Sequence, residues 1–381
     1  MDFEFSPEQR ALAERIRAFA AERLAPAAGE GERRGRPRPG LFAELTAEGL
    51  FALRVPVAYG GQGAGAVSTG IVLEELAAGD LTAGYPVLNA ALVADALDAN
   101  ATDEQRARWL PPIARGEAIL TVGRTESGDG DGGGDDDNAA GIGLRATPAG
   151  DGWRLSGEQT SAAPGGHATH ALVFARTGEA DAPGVTAFFV SLDHPRVGRA
   201  GGPATLTFDD VRVGPDDVIG APGRGAVRVL RGFDHSPALI ALMCLGAAGA
   251  ALDEALAYAR RRHAFGEPIG RFQGVAFPLV EHATLLHAAR LLAYEALWRK
   301  DAGLDHRTEA NMVKWWAPRA AVDAAHQALL TLGHLGRPED GPQSRRLRDV
   351  IGAELADGTA NATKLVVARQ LLGGDHAPSG I

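Results

Sequence analysis

The chain has 381 residues, 45% hydrophobic and 23% charged, which is ordinary for a soluble globular protein and leaves room for two or three domains. Its net charge of −10 argues against a nucleic-acid or anionic-membrane surface, since both partners select a basic excess. No charged segment followed by an apolar stretch opens the chain, and no uninterrupted apolar run reaches the ~20 residues that span a bilayer, so the expectation is a soluble, cytoplasmic protein. Cys244 is the single cysteine; set among Leu242, Met243 and Leu245, it reads as a small core residue rather than a nucleophile.

From Met1 to about Glu117 the pattern is helical. Ser6-Pro7-Glu8-Gln9 has the form of a capped start, with Ser6 as N-cap, Pro7 in the first position and Gln9 three residues on. Leu12, Ile16, Phe19 and Leu24 continue the helical spacing. The Gly/Arg/Pro-rich stretch from Pro26 to Gly40 reads as a surface loop, 41–50 as a helix, and 53–63 as a loop whose glycines permit sharp turns. Between about 118 and 226 the period shifts to strands: 169–176, 184–192 and 205–213 carry Val, Phe, Thr and Leu in short runs bounded by Gly, Pro and Asp. The acidic, glycine-rich stretch 127–138 lacks the spacing of an EF-hand, so a solvated, mobile loop is expected there and no metal site.

From Val227 onward the chain returns to long helices. The first, predicted from about Ala238 to Arg262, is Ala/Leu-rich with Gly246 and Gly249 inside it, as suits close helix packing. Arg260, Arg261 and Arg262 fall at its end, where cations are favoured by the helix dipole, and Gly266 with Pro268 terminates it. A helix–strand–helix order without a Gly-x-Gly-x-x-Gly turn argues against a dinucleotide fold of the doubly wound kind.

The pattern Tyr258-Ala259-x-x-Arg262-x-x-Phe265-Gly266-x-Pro268-Ile269-x-x-x-Gln273-x-x-x-Phe277 resembles the signature of the acyl-CoA dehydrogenase family. Val55-Pro56-x-x-Tyr59-Gly60-Gly61 before a helix at 69–78, the run 103–117, and Phe208–Val213 with Val218-Ile219-Gly220 resemble the same family, in the same order. Taken alone, the Arg262 segment also fits a solvated helix end followed by a turn. The resemblance covers essentially the whole chain and implies an α+β protein of the acyl-CoA dehydrogenase fold: an N-terminal helical domain (1–117), a middle β-barrel (118–226) and a C-terminal four-helix bundle (227–381). It implies FAD as cofactor, held by Arg262, Phe265 and Gln273 reaching a neighbouring subunit, with Thr125 and Thr359 as further contacts.

Asp357-Gly358-Thr359 follows Arg348-Asp349 and precedes Ala368-Arg369-Gln370-Leu371-Leu372-Gly373, matching the place where the family carries its proton-abstracting Glu-Gly-Thr. The resemblance therefore puts the base at Asp357, one C–C bond, roughly 1.5 Å, shorter than the usual glutamate. The other role open to Asp357 is as cap of the helix beginning near Thr359. Some relatives supply the base from the preceding bundle helix, at the position of Ser236, and serine cannot do that work. Ser127, Asp234 and Gly358 fall at substrate-contact positions.

Several expected contacts are replaced. The family's Trp-Ile-Thr over the flavin ring reads Ser161-Ala162-Ala163, Leu330 stands for a cofactor-binding Gln, Pro237 stands for an Arg, and His334 lies in an altered Gly-Gly-x-Gly, where it reads as a packing or surface residue. The implied activity is FAD-dependent α,β-desaturation of an acyl thioester on coenzyme A or an acyl carrier protein, in a homodimer or homotetramer, with an electron-transfer protein as an optional partner. The alternatives are a flavin oxidase acting on a small carbon acid, and a flavin-poor isomerase, dehydratase or non-catalytic subunit.

Overall fold

The computed structural model describes residues 4–123, 142–178, 184–200 and 205–373; the acidic stretch 127–138, Thr125 and Ser127 lie outside the described residues. The chain forms two compact units, one from Met1–Arg34, Gly65–Gly84 and His235–Pro378, the other chiefly from Gly35–Ala64 and Tyr85–Asp234.

In the first unit, α1 (Pro7–Phe19) opens on the expected capping box: Ser6 Oγ accepts from the Gln9 backbone N–H at 3.2 Å, and Gln9 Oε1 accepts from the Ser6 N–H at 3.0 Å. The predicted loop after Pro26 contains a helix instead, α2 (Ala28–Arg34). Tertiary contacts hold it: Ala28 is buried, and Glu32 on this short helix receives a two-pronged ion pair from Arg348 at 2.8 and 2.9 Å.

The helix predicted at 69–78 lies in the first part of α4 (Ala66–Asn100), which is interrupted at Asp80, where φ is −153° and ψ 105°. Its first backbone N–H groups are capped from afar, Ala66 and Val67 both donating to the Asp301 carboxylate, at 2.6 and 3.0 Å.

The bundle consists of α7 (Ser236–Arg261), α8 (Gln273–Asp301), α9 (Arg307–Leu332) and α10 (Pro342–Leu355), with α11 (Ala360–Leu372) packed on α9. Small side chains bring these helices close: Ala289, Ala293 and Ala296 of α8 and Ala317, Ala321, Ala324 and Ala328 of α9 are all fully buried. Gly246 of α7 meets the α4 backbone so closely that a Cβ there would come within 2.0 Å of the Glu74 carbonyl oxygen, whereas Gly249 faces no such contact.

The stretch Ala226–Arg261 is long and apolar enough to cross a bilayer, yet 72% of its apolar window is buried inside the protein, as in a core helix. Cys244 lies in that core with its thiol pushed up to about 12 by burial, which removes it as a nucleophile. Asp349 on α10 is half-buried; desolvation first, then the nearby Asp80 charge, pushes its carboxyl up to about 7.

The second unit contains α3 (Leu41–Ala47), the second part of α4, α5 (Asp103–Ala114), α6 (Gly225–Arg231) and the strands β1 (Leu120–Val122), β2 (Arg145–Ala149), β3 (Gly152–Thr160), β4 (His170–Arg176), β5 (Val185–Ser191), β6 (Val197–Ala200), β7 (Thr205–Val213) and β8 (Val218–Ile219). The strands form a sheet with the path β6-β7-β3-β2-β4-β5-β8, and β1 pairs parallel to β4. The three strands predicted from composition are β4, β5 and β7.

The expected barrel is not closed. Among the described residues β6 and β8 end the path unpaired with each other, and at four and two residues neither offers a ladder long enough to close it. The sheet buries Leu144, Leu155, Val173, Phe188, Val190, Leu206 and Val211 on one face.

Candidate functional site

The turn between α10 and α11 carries two consecutive residues with positive φ. Asp357 (φ 57°) and Gly358 (φ 93°) are both left-handed, a conformation that L side chains adopt at a cost and that Asp tolerates better than most. Gly358 is needed for that backbone angle and not for space, since a Cβ there would meet only ordinary contacts, the nearest at 3.9 Å.

The capping role does not fall to Asp357. Thr359 is the N-cap of α11, its Oγ1 accepting the Ala362 N–H at 3.4 Å. The Asp357 carboxylate turns instead to α7, where Ser236 Oγ donates to its Oδ2 at 2.5 Å. Ser236 is the first residue of α7 and 1% exposed, so the carboxylate sits at the positive end of a 26-residue helix, which favours an anion by about 0.3–1 kcal/mol.

Beneath the turn, the Lys314 side chain from α9 is buried, at 1% exposure, and its Nζ donates to the Glu354 and Gly358 carbonyls at 3.0 and 3.2 Å. A buried ammonium costs several kcal/mol unless hydrogen-bonded, and here it is spent on two carbonyls that flank Asp357. Sequence reasoning passed over Lys314; the signal was a lone lysine in an Ala-rich helical stretch. It had also treated Ser236 only as a base that cannot work, not as a donor.

The second cluster lies on the turn from α7 into α8. Arg262 closes α7, and the strands β9 (His263–Ala264) and β10 (Glu267–Pro268) form a miniature hairpin whose two turn residues, Phe265 (φ 54°) and Gly266 (φ 84°), are both left-handed. A phenylalanine in that conformation is strained, and the residue is 96% exposed, its ring lying edge-on to that of Phe272 at 6.1 Å between centroids.

Gln273 begins α8, a 29-residue helix without a side-chain N-cap, and Arg262 and Gln273 are both exposed. An uncapped helix start, a free-standing aromatic ring and an exposed guanidinium on one turn fit an anionic group with an apolar face, such as the pyrophosphate and adenine of a dinucleotide. The structure thus brings Arg262, Phe265 and Gln273 together on one turn and Asp357, Gly358 and Thr359 on another. It does not bring the two turns together, because they lie at opposite ends of α7: 26 residues at ~1.5 Å each give about 39 Å.

In the second unit, Ser161 is buried, and its neighbours are pinned by backbone carbonyls: Thr121 Oγ1 donates to the Ala162 carbonyl at 2.6 Å and Asn89 Nδ2 to that of Ala163 at 2.7 Å. This segment presents no aromatic side chain on which a flavin ring could stack. Asp234 is half-buried at the end of this unit. Leu330, 56% exposed on α9, and His334, exposed in the turn after it, are surface residues.

The described residues therefore define an α+β protein with a helix-bundle carboxylate and an exposed hairpin turn carrying Arg262, Phe265 and Gln273. A family model described as acyl-CoA dehydrogenase, C-terminal domain, matches residues 223–372, and one described as acyl-CoA dehydrogenase, N-terminal domain, matches residues 6–117. The chain is 31% identical to the probable acyl-CoA dehydrogenase YngJ of Bacillus subtilis over 389 residues, which cover 98% of this chain and 100% of that protein. It is 33% identical to the mitochondrial short-chain specific acyl-CoA dehydrogenase of Bos taurus over 373 residues, 95% of this chain and 89% of that protein. The solved structure of butyryl-CoA dehydrogenase from Megasphaera elsdenii matches with a TM-score of 0.90 at 26% identity, over 98% of this chain and 100% of the other. The chain belongs to the acyl-CoA dehydrogenase family.

Proposed function

We propose that this protein is a FAD-dependent dehydrogenase that introduces an α,β double bond into an acyl thioester, with Asp357 as the base. The observation that carries the assignment is the Asp357 turn: a strained left-handed carboxylate, replaced as helix cap by Thr359 and hydrogen-bonded by a buried serine. Asp357 takes the α-proton as the α C–H bond breaks, and the electron pair left behind forms the new C=C bond. Bound FAD supplies the acceptor for the β-hydrogen, which departs with its electron pair. The backbone N–H of Asp357 helps to hold the thioester carbonyl, which stabilises charge developing on that oxygen as the proton leaves.

Arg262, Phe265 and Gln273 hold the ADP half of FAD, with Thr125 and Thr359 as further cofactor contacts and Ser127, Asp234 and Gly358 as substrate contacts. The distance of about 39 Å along α7 far exceeds the span of the ribityl chain between pyrophosphate and flavin, so Arg262 and Asp357 of one chain serve different sites. A homodimer or homotetramer with sites completed in trans follows. Covering the exposed Phe265 ring in such an assembly contributes about 1.5–3 kcal/mol. The acyl carrier is coenzyme A or an acyl carrier protein, an electron-transfer protein is an optional partner, and the compartment is the cytoplasm.

The test is Asp357→Asn, since an amide cannot accept the proton. The variant is expected to fold and retain its flavin but to lose bleaching by a thioester substrate; bleaching near the wild-type rate would show that Asp357 is not the base. A second reading, a flavin-poor proton-transfer enzyme using the same Asp357, draws support from the non-aromatic Ser161–Ala163 segment. Purified protein that is colourless and binds no added FAD would put that reading first.

A further inference from the structure

Resting on the assignment of Asp357 as base, we propose that Ser236 is a positioning residue for the reaction, fixing the carboxylate in the orientation from which it takes the proton. The α10–α11 turn and the start of α7 face each other here, and the Ser236 hydroxyl on one donates to the Asp357 carboxylate on the other at 2.5 Å. Aspartate is one methylene shorter than glutamate, so its carboxylate hangs on a single rotatable bond beyond Cβ and has less reach with which to correct a wrong orientation. A hydrogen bond from a serine that is 1% exposed, on the first turn of a long core helix, is a rigid anchor for it.

The anchor acts on a backbone that is itself held. Lys314 ties the carbonyls of Glu354 and Gly358 together from below, so the left-handed turn cannot relax when the carboxylate swings. Ser236 thus completes a three-point fixation of Asp357: main chain by Lys314, α11 by the Thr359 cap, and carboxylate by Ser236. A serine here neither accepts the substrate proton nor touches the reacting carbons; its contribution is geometric, and geometry of this order controls proton-transfer rates.

Single-turnover bleaching of the FAD-loaded enzyme by an acyl-CoA substrate separates this role from a structural one. In Ser236→Ala the rate constant at saturating thioester is expected to fall roughly tenfold to a hundredfold, the range that loss of orientation of a catalytic group costs, with the half-saturating thioester concentration and the bleaching amplitude unchanged. A residue needed only for folding would lower the amplitude and leave the rate constant alone, and that result, or an unchanged rate constant, overturns the proposal. Asp357→Asn measured in parallel separates the two layers. If it still bleaches, the base assignment fails and the proposal with it; if it is inert while Ser236→Ala runs at the wild-type rate, only the positioning role fails.

Discussion

The placement of Ser236 and Arg262 at opposite ends of α7 makes subunit complementation the sharpest test of how the sites are assembled. In a symmetric dimer whose sites each combine Asp357 of one protomer with Arg262 of its partner, Asp357→Asn and Arg262→Ala each spoil both sites. Removing the Arg262 guanidinium deletes a charge-assisted contact worth about 1.5–3 kcal/mol, which weakens FAD binding roughly tenfold to a hundredfold or more. When the two variants are mixed in equal amounts and allowed to exchange subunits, about half of the dimers are mixed, and each of these has one intact site and one site with both changes. About 25% of all sites then carry both native groups, so the mixture should recover roughly a quarter of the wild-type specific activity. The assay is substrate-driven dye reduction at an FAD concentration that saturates the wild type but lies well below the dissociation constant of Arg262→Ala. If the mixture shows no more activity than the mean of its parents, Arg262 and Asp357 serve one site within one chain, and the argument from helix length is wrong.

The remaining predictions concern cofactor affinity and stability. Ser161, Ala163 and Leu330 lack one stacking surface and two polar contacts, about 0.5–1.5 kcal/mol each, so FAD should bind on the order of a hundredfold more weakly than in relatives that keep them. Titration of stripped protein checks this, and nanomolar saturation would contradict it. Asp349 keeps its proton in the fold up to about pH 7, whereas in the unfolded chain it ionises near pH 4. Its contribution is therefore fully present below about pH 4 and is lost as pH rises through 7, with a slope of up to ~1.4 kcal/mol per pH unit. Denaturant titrations of Asp349→Asn should show that slope flattened, and an unchanged slope would refute the assignment. Lys314→Met leaves the Glu354 and Gly358 carbonyls without their donor, a loss of about 1–3 kcal/mol for each buried group, and calorimetry should show a lower Tm. A variant as stable as the wild type would mean that the cost of burying the ammonium cancels its bonds.

The sequence alone determined those features whose causes are local in the chain. The Ser6–Gln9 box needs only four consecutive residues, and the structure makes both of its hydrogen bonds. The strand at 205–213 was legible because a short run rich in Val, Phe, Thr and Leu bounded by Gly, Pro and Asp is a local signal of a strand. The helix end at Arg261 and the turn at Phe265-Gly266 were legible for the same reason, being written in charge and glycine placement.

Tertiary structure decided what depends on partners distant in the chain. The segment after Pro26 looked like a loop from its glycines and became helical where Arg348, more than three hundred residues away, pairs with Glu32. Thr359 rather than Asp357 became the cap because the left-handed turn carries Asp357 away from the start of α11. The bond from Ser236 to Asp357 spans 121 positions, and the Lys314 bonds span 40 and 44. No local propensity encodes such pairs, because each residue alone is an ordinary serine, lysine or aspartate, and only the packing of α7, α9 and α10 puts donor and acceptor within reach and excludes the water that would otherwise satisfy them.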